Sequence, residues 1–340
     1  MSYNKLGKQT IVFKNKPVMK SCYSIVGEKE GNGNFKDYFD YVLIDDLFDE
    51  KSYEKAERKI LELCMFKAID RANLKISDID CVICGDLLNQ IISSSFAARQ
   101  INKPFLGLYG ACSTMAESLI VGSTLIDGKY SKNVLCGTGS HFSTAEKQYR
   151  NPLELGNQRP PMSQWTITGA GCTVLGEKGK GNFITNATIG RVTDFGIVDV
   201  NNMGAAMAPS AMTTLISHFE DTKTNPDDYD LIVTGDLGKL GSEILRDLME
   251  KNGYPLGQNY SDCGHMMYTS NQRTFQGGSG AGCSASVLNS FINRKLKEGV
   301  YKKVLFAATG ALLSTLSSQQ GDSVPGICHA VTIESEKGGD

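Results

Sequence analysis

The hydrophobic pattern of the chain alternates between segments with helical spacing and short apolar runs. From Ser52 to Asn73 apolar residues recur at helical intervals, which predicts an amphipathic helix. The run from Asp80 to Cys84 is short and apolar and is closed by Gly85, as is typical of a buried strand. The pattern then predicts a helix over Ser93–Gln100, a second apolar segment over Pro104–Tyr109, a helix over Cys112–Ile126 and a strand over Asn133–Gly137.

The segment from Cys112 to Ile126 differs from the other predicted helices. Its residues are apolar or small on nearly all sides, and Gly128 ends it. A helix without a polar face has to be surrounded by protein. We therefore expect this helix to lie at the centre of the molecule.

The same order of elements recurs in the second part of the chain. The pattern predicts a strand over Asp230–Thr234, helices over Gly241–Asn252 and Cys283–Glu298, and a strand over Lys303–Ala308. The letters repeat as well, because residues 80–87 align with 230–237 and residues 128–135 align with 299–305 after a one-residue gap. An offset of 171 residues relates Gly128 to Gly299 and also Cys112 to Cys283. These matches indicate a duplicated α/β fold with halves of about 1–180 and 181–340.

Composition narrows the class of protein. The 340 residues are 41% hydrophobic and 21% charged with a formal net charge of -2, which is typical of a globular protein and gives no electrostatic reason to expect nucleic acid. No uninterrupted apolar stretch reaches the ~18 residues that a membrane span needs. The first 20 residues do not have the pattern of a signal peptide, so we expect a reducing compartment and ten free cysteines.

Residues 110–113, Gly-Ala-Cys-Ser, stand at the start of the predicted central helix. A duplicated α/β chain with this sequence at that place is similar to the thiolase and ketoacyl-synthase superfamily. The glycine-rich segment Thr168–Val174 resembles the strand that closes the first half in that superfamily. The resemblance implies a five-layered α/β/α/β/α fold with the nucleophile position at Cys112.

A more specific resemblance runs nearly end to end. It is carried by residues 7–10 (Gly-Lys-Gln-Thr), 85–90 (Gly-Asp-Leu-Leu-Asn-Gln), 140–141 (Ser-His), 145–148 (Ala-Glu-Lys-Gln), 206–209 (Ala-Met-Ala-Pro), 277–280 (Gly-Gly-Ser-Gly) and 308–314 (Ala-Thr-Gly-Ala-Leu-Leu-Ser). These motifs resemble the stage V sporulation protein AD family. That resemblance implies binding of dipicolinic acid, a pyridine-2,6-dicarboxylate, for its uptake into the forespore. It also implies a cytoplasmic location at the forespore inner membrane, beside membrane proteins of the same transport set.

Cys112 is the main candidate for chemistry. A thiolate is a nucleophile, and a helix start favours the anion. Acyl transfer also needs a histidine or asparagine to move protons and hold the thioester oxygen. Alignment with the superfamily pattern places Gly235 and a position near Ala281 where those residues belong. We therefore expect Cys112 to line a ligand pocket without turnover, while an acyltransferase working through Cys112 remains the alternative.

Two histidines offer a replacement base, and several polar residues are candidates for the ligand site. His141 directly follows a predicted strand, and His329 is the other candidate, although a structural role suits a lone histidine as well. Asp86 and Asp236 follow matched strands and suit loop capping better than calcium, which needs about six to eight oxygens. Asn89 belongs to the family motif after Asp86.

A dicarboxylate ligand favours guanidinium and ammonium groups. The candidates are Arg99, Lys147, Arg150, Arg159 and Arg191, although each also fits a solvated surface charge.

Cys81 and Cys84 lack the second pair that a zinc site requires. We expect no metal site and no cofactor, with calcium entering only as a chelate of the ligand. Thiolase-like proteins usually pair through an edge strand, so we also expect a homodimer. A scaffold for the membrane partners is a third functional reading.

Overall fold

A computed structural model describes residues 4–149 and 158–336 and contains fifteen strands in these ranges. They are β1 Lys5–Leu6, β2 Thr10–Val12, β3 Val18–Val26, β4 Tyr41–Val42, β5 Cys81–Gly85, β6 Phe105–Gly107, β7 Asn133–Ser140, β8 Trp165–Thr166, β9 Gly169–Gly176, β10 Asn182–Thr188, β11 Leu231–Thr234, β12 Tyr260–Asp262, β13 Gly278–Ser279, β14 Lys303–Ala311 and β15 Gly326–Glu334.

The helices lie between these strands. They are α1 Glu28–Gly31, α2 Tyr53–Arg71, α3 Ile92–Ile101, α4 Thr114–Asp127, α5 Phe142–Tyr149, α6 Met203–Thr222, α7 Gly238–Lys251, α8 Cys263–Met267, α9 Ala281–Val287, α10 Asn293–Glu298 and α11 Thr315–Gln319. A π-helical segment, Leu288–Ile292, joins α9 to α10. Among the described residues, none of these helices combines the length and the apolar character that crossing a bilayer would require.

The same strand order occurs twice. The first set is β3-β9-β7-β5-β6 and the second is β10-β15-β14-β11-β12. In each set the first two pairings are antiparallel and the last two are parallel. A short antiparallel contact, Asn182 with Met19 and Phe183 with Val18, joins the two sets. The topology therefore repeats as the sequence predicts, whereas the exact boundary between the halves stays a prediction.

The elements stack in five layers. Helices α2 and α3 cover the outer face of the first set of strands, and α6 and α7 cover the outer face of the second set. Between the two sets lie α4 and α9, whose side chains join a core that reaches both sheets. On α4, Leu119 is fully buried, and all seven residues of α9 are buried. The central, buried position predicted for the helix that follows Cys112 is confirmed, and α9 takes the matching position in the second half.

The predicted helices and strands lie where the structure has them, within a few residues. The largest omission is α6, where Pro209 lies inside a helix of 20 residues. Proline disfavours a helix interior, so the local sequence argues against the element that packing imposes. Strand β15 was also not predicted, because it is buried along nearly its whole length and shows no alternation of apolar and polar residues.

Candidate functional site

Cys112 lies in a tight turn that leads into α4. A 3₁₀ turn spans Ala111–Ser113, and Ala111 has a left-handed φ of 50°. The Ser113 hydroxyl donates to the Gly110 carbonyl at 2.7 Å, and the Thr114 hydroxyl donates to the Ala111 carbonyl at 2.7 Å. A non-glycine residue in this conformation costs free energy and persists only where its surroundings fix it. The turn thus holds the Cys112 thiol toward the second half of the molecule.

The second half approaches this turn closely. A Cβ on Gly310 of β14 would lie 2.4 Å from the Gly110 carbonyl oxygen, so no larger residue fits there. The Ser284 hydroxyl on α9 donates to the Cys112 carbonyl at 3.4 Å. Cys112 therefore sits where the two central helices and β14 meet.

The thiol of Cys112 contacts the carboxyl group of Asp236. Asp236 is fully buried and follows β11. Its oxygens accept hydrogen bonds from the Thr309 hydroxyl at 2.9 Å, the Ser279 hydroxyl at 3.0 Å and the Gly280 N–H at 3.0 Å. These three donors fix the carboxyl group beside the sulfur.

The carboxyl group and the thiol oppose each other's ionisation. Burial raises the pKa of Asp236 to about 6, even though its hydrogen bonds act to lower it. Burial, and then the neighbouring Asp236 carboxylate, hold the pKa of Cys112 well above its usual range. At neutral pH the pair is therefore a carboxylate and a neutral thiol. A neutral thiol is a weak nucleophile.

The residues that face Cys112 are offset by about one position from those expected. Gly235 packs against β14, where a Cβ would lie 2.9 Å from the Thr309 nitrogen, so the next residue, Asp236, reaches the thiol. In place of Ala281, the Ser279 hydroxyl and the Gly280 N–H face the thiol. The groups that face the thiol at these two places are thus the Asp236 carboxyl group, the Ser279 hydroxyl and the Gly280 N–H.

A small cavity of about 40 Å³ opens beside Cys112, which is 6% exposed. Most of its lining groups are apolar. The lining residues are Leu87, Ala111, Cys112, Ala145, Tyr149, Thr166, Met203, Ser279, Gly280, Ala311 and Leu313. Among them there is no histidine, asparagine, lysine or arginine, so the described walls of the cavity offer no proton-transfer base other than the nearby Asp236.

A wider cleft of about 440 Å³ adjoins the cavity, and Tyr149 and Leu313 line both. Its lining residues are Leu88, Asn89, Gln90, Ile91, Gly107, Leu108, Tyr109, Gln148, Tyr149, Leu312, Leu313, Ser314 and Thr315. The two tyrosine hydroxyls are 3.1 Å apart, and the Asn89 N–H donates to the Gln148 side chain at 3.0 Å. The cleft combines apolar surface with uncharged hydrogen-bonding groups, as small-molecule sites commonly do.

The structure does not bring either candidate histidine to the cavity. The His141 Nε2 is 2.8 Å from the Asp46 carbonyl, and its Nδ1 accepts from the Ser143 N–H at 3.1 Å. His329 Nδ1 accepts from the Gly190 N–H at 3.1 Å. Burial lowers the pKa of His141, and it lowers the pKa of His329 to about 4. Both rings are thus held as neutral groups that bond to the main chain.

Asp86 occupies the place in the first half that Asp236 has in the second, but its role differs. Its carboxyl group accepts from the Leu88 N–H at 2.9 Å and from the Ser94 N–H at 2.7 Å at the start of α3. Such bonds satisfy amides that a helix leaves unpaired. Asp86 therefore acts as a capping residue behind the cleft, which begins at Leu88 and Asn89.

None of the candidate basic residues that the structure describes lines the cavity or the cleft. The Arg99 guanidinium stacks on the Phe96 ring at 4.6 Å, and Arg191 is exposed. Lys147 pairs with Glu54 at 2.9 Å, and Arg159 pairs with Glu146 at 2.5 Å. Arg150 lies outside the described residues.

The sequence analysis did not single out Tyr109 or Tyr149, which shape the cleft. Tyr109 ends the predicted segment Pro104–Tyr109, and Tyr149 directly follows the family motif 145–148. An aromatic residue beside each motif was the only available signal.

In the described ranges, 4–149 and 158–336, no group of three or more histidine, cysteine or acidic side chains is placed to hold a metal.

Solved structures with the same fold include a 3-oxoacyl-[acyl-carrier-protein] synthase III, OleA and a 3-ketoacyl-CoA thiolase. The chain aligns over 94% of its length with 99% of 3-oxoacyl-[acyl-carrier-protein] synthase III from Aquifex aeolicus, at 14% identity and a TM-score of 0.59. It aligns over 95% with all of acetamide-bound OleA from Xanthomonas campestris, at 9% identity and a TM-score of 0.62. It also aligns over 98% of its length with all of human mitochondrial 3-ketoacyl-CoA thiolase in complex with CoA, at 12% identity and a TM-score of 0.57. These similarities show a thiolase-like fold.

Sequence similarity identifies the family. The model of the family "Stage V sporulation protein AD" matches residues 7–334. The stage V sporulation protein AD of Bacillus subtilis (strain 168) is 43% identical over 328 residues, which are 96% of this chain and 97% of that protein. With the thiolase-like fold and the Cys112 site in place, the chain belongs to the stage V sporulation protein AD family.

Proposed function

We propose that this sporulation protein binds dipicolinic acid at the Cys112 cavity and the adjoining cleft and does not turn over an acyl thioester. The observation that carries the second part is the contact between Cys112 and Asp236. A general base typically contributes about 10² to 10⁴-fold to such a reaction. Here the group beside the thiol is a carboxylate that keeps the thiol neutral, so the site lacks the activated nucleophile that acyl transfer requires.

The shape of the cleft supports a flat polar ligand. Tyr109 and Tyr149 present ring faces and hydroxyl groups, and Asn89 and Gln148 present amide groups. A pyridine ring would pack on the apolar and aromatic walls. Because the Tyr149 hydroxyl donates to the Leu87 carbonyl and the Tyr109 hydroxyl to Tyr149, the carboxylates would accept hydrogen bonds from the Asn89 side-chain amide and the remaining N–H of the Gln148 amide. The identity of the ligand as dipicolinic acid rests on the family resemblance.

Titration calorimetry with dipicolinic acid, set beside mass spectrometry after incubation with acyl-coenzyme A, tests the proposal. Cys112→Ser replaces the sulfur by a smaller atom and should keep ligand affinity within about threefold. Cys112→Leu fills the roughly 40 Å³ cavity and should abolish binding while circular dichroism shows an intact fold. An acyl adduct that forms on Cys112 and turns over, and that is lost in Cys112→Ser, would establish the acyltransferase instead.

We further propose that the protein acts in the uptake of the ligand into the forespore, from the cytoplasmic side of the inner forespore membrane. Its partners there would be the membrane proteins of the same transport set. No cofactor is required, and calcium would enter only as a chelate of the ligand. Fractionation of sporulating cells, with and without those membrane proteins, tests the location. A protein that stays in the soluble fraction in both cases would contradict it.

A homodimer is part of this proposal. Strand β6 forms one end of the described strand order, and Leu106, Ile92 and Tyr109 near it are each more than 40% exposed. An unpaired edge with apolar side chains favours pairing with a second copy. Light scattering at micromolar concentration should give twice the 36.9 kDa chain mass, and Leu106→Lys should shift it toward the monomer. A monomer mass for the unaltered protein would contradict the dimer.

A further inference from the structure

A second cleft, of about 430 Å³, shares no lining residue with the Cys112 cavity or the cleft that adjoins it. We call it the basic cleft. It is lined by Lys239, His265, Tyr268, Thr269, Ser270, Arg273, Thr274, Phe275, Gln276 and Gly277. None of these residues is acidic and none lines the Cys112 cavity or its cleft. Its volume lies in the range of small-molecule sites.

The positive side chains of the basic cleft are not used by the fold. Lys239, His265 and Arg273 are exposed. In the part of the chain that the structure describes, the side chains of these three residues form no ion pair and no hydrogen bond, whereas Lys147 and Arg159 are paired with Glu54 and Glu146. Two charged side chains, Lys239 and Arg273, line the basic cleft and no acidic residue does, which favours an anionic ligand.

The floor of the basic cleft is fixed by hydrogen bonds. Gln276 donates from its N–H to the Ser163 carbonyl at 3.2 Å and accepts the Leu240 N–H on its side chain at 3.0 Å. Gln272 and Lys29 each donate from the side chain to the other's carbonyl, at 2.6 Å and 3.0 Å. These bonds fix the main chain that carries Arg273 and Gln276, so the loop itself need not become ordered when a ligand binds.

The wall of the basic cleft also offers an aromatic surface. Phe275 is 50% exposed although it is a large apolar residue. The hydroxyl groups of Thr269, Ser270 and Thr274 also line the cleft. The combination of positive charge, an exposed ring and neutral donors fits a ligand with a flat apolar body and two anionic oxygen groups.

We infer that the basic cleft is a second binding site, selective for small organic dianions of the aromatic dicarboxylate class. The Cys112 site lacks a described lysine or arginine on its walls and has a carboxylate behind them, so the basic cleft is the stronger electrostatic match for a free dicarboxylate. Strand β13 runs from the end of the basic cleft, at Gly278, to Ser279 on the wall of the cavity. The basic cleft is thus a capture site on the chain segment that leads to the inner site.

The inference shares its ligand class with the proposed function, so the test has to separate the two sites. Calorimetry would compare pyridine-2,6-dicarboxylate, the monocarboxylate pyridine-2-carboxylate, and inorganic phosphate on the full chain. The variant is Lys239→Gln with Arg273→Gln. The matched control is Lys178→Gln with Lys180→Gln, two exposed residues between β9 and β10 whose replacement gives the same change in net charge.

We expect two binding events for the dicarboxylate. The basic-cleft variant should weaken one of them at least tenfold, Cys112→Leu should remove the other, and the control should change neither by more than about twofold. Loss only in the basic-cleft variant would retain this inference and overturn the Cys112 site as the ligand site. An unchanged titration in the basic-cleft variant would overturn this inference whatever Cys112→Leu does, and so would equal affinity for the monocarboxylate or for phosphate.

Trp165 supplies an independent signal. It is the only tryptophan of the chain. Its main-chain N–H donates to the Gly277 carbonyl at 2.8 Å, and the Lys29 ammonium lies 4.0 Å from its ring centre. Binding in the basic cleft should therefore alter its fluorescence in Cys112→Leu. The signal should be lost when Lys239 and Arg273 are also replaced. A signal that persists in that combined variant would refute the assignment to this cleft.

Discussion

Replacement of Asp236 by asparagine is the most direct test of how the Cys112 site is built. The amide oxygen can accept from the Ser279 hydroxyl and the Gly280 N–H, as the carboxylate does. The amide N–H₂ can donate to the Thr309 oxygen, because a hydroxyl group both donates and accepts. Asp236→Asn therefore removes a negative charge from beside the Cys112 thiol with little change in shape.

The expected size of the effect follows from the charge. Two unit charges ~4 Å apart interact by ~4 kcal/mol at an effective dielectric constant of ~20. One pKa unit corresponds to ~1.4 kcal/mol, so the upper bound is a fall of ~3 units in the pKa of Cys112. Burial, the larger cause of the raised pKa, is unchanged in the variant. We therefore expect a fall of at least ~1 unit and a thiol that still ionises above neutral pH.

The assay is the pH dependence of iodoacetamide alkylation of Cys112, followed by peptide mass spectrometry. The pH at which the alkylation rate rises should be lower in Asp236→Asn than in the unaltered protein. The difference in pH should equal the fall in the pKa of Cys112 given above. Asp86→Asn is the control, because Asp86 binds Leu88 and Ser94 and is not among the groups that perturb the Cys112 thiol. If the two alkylation profiles of Asp236→Asn and the unaltered protein coincide, the carboxylate does not control the thiol and the argument against turnover fails.

Three further predictions concern stability. Burial raises the pKa of Glu30 to about 7, so between about pH 4.5 and 7 the folded state holds a proton that the unfolded state has lost. As the pH rises through this window, the free energy of unfolding measured by urea titration should fall by ~3 kcal/mol. Glu30→Gln should remove this part of the pH dependence. Leu119→Ala, in the fully buried centre of α4, should cost ~2–5 kcal/mol, and a cost below ~1 kcal/mol would place α4 outside the core. Gly310→Ala should push β14 from the Cys112 turn and reduce dicarboxylate affinity as well as melting temperature, whereas unchanged affinity would show that the turn does not depend on that contact.

The architecture could be predicted from the sequence because the sequence contains an internal duplication. Repeated letters at 80–87 and 230–237 and the offset between Cys112 and Cys283 specify two equivalent units, and an all-round apolar helix specifies the centre. Local pattern failed where tertiary packing overrides it, as in α6 with its internal Pro209. Duplication constrains which elements pair, but it does not constrain elements whose local sequence contradicts their environment.

The site was less accessible to sequence than the fold. Cys112 follows from its motif, but the residue that faces it depends on how the chain turns after β11. Gly235 and Asp236 are neighbours, and only the packing of Gly235 against β14 decides which of the two reaches the thiol. In the same way, the basic candidates were chosen by charge alone. The structure uses Arg159 in an ion pair, whereas Lys239 and Arg273 form no ion pair with any described residue.

The arrangement around Cys112 combines a fixed geometry with a negative charge beside the thiol. The strained Ala111 turn, Gly310 and the central helix start still place a sulfur at the junction of the two halves. What differs is the sign of the potential beside it, since Asp236 is a carboxylate where a transferase needs a group that stabilises negative charge. Geometry and charge are therefore separable in this fold. We therefore expect the Cys112 position to hold a ligand rather than to react, and we expect an anion to be recruited by the positive groups of Lys239 and Arg273.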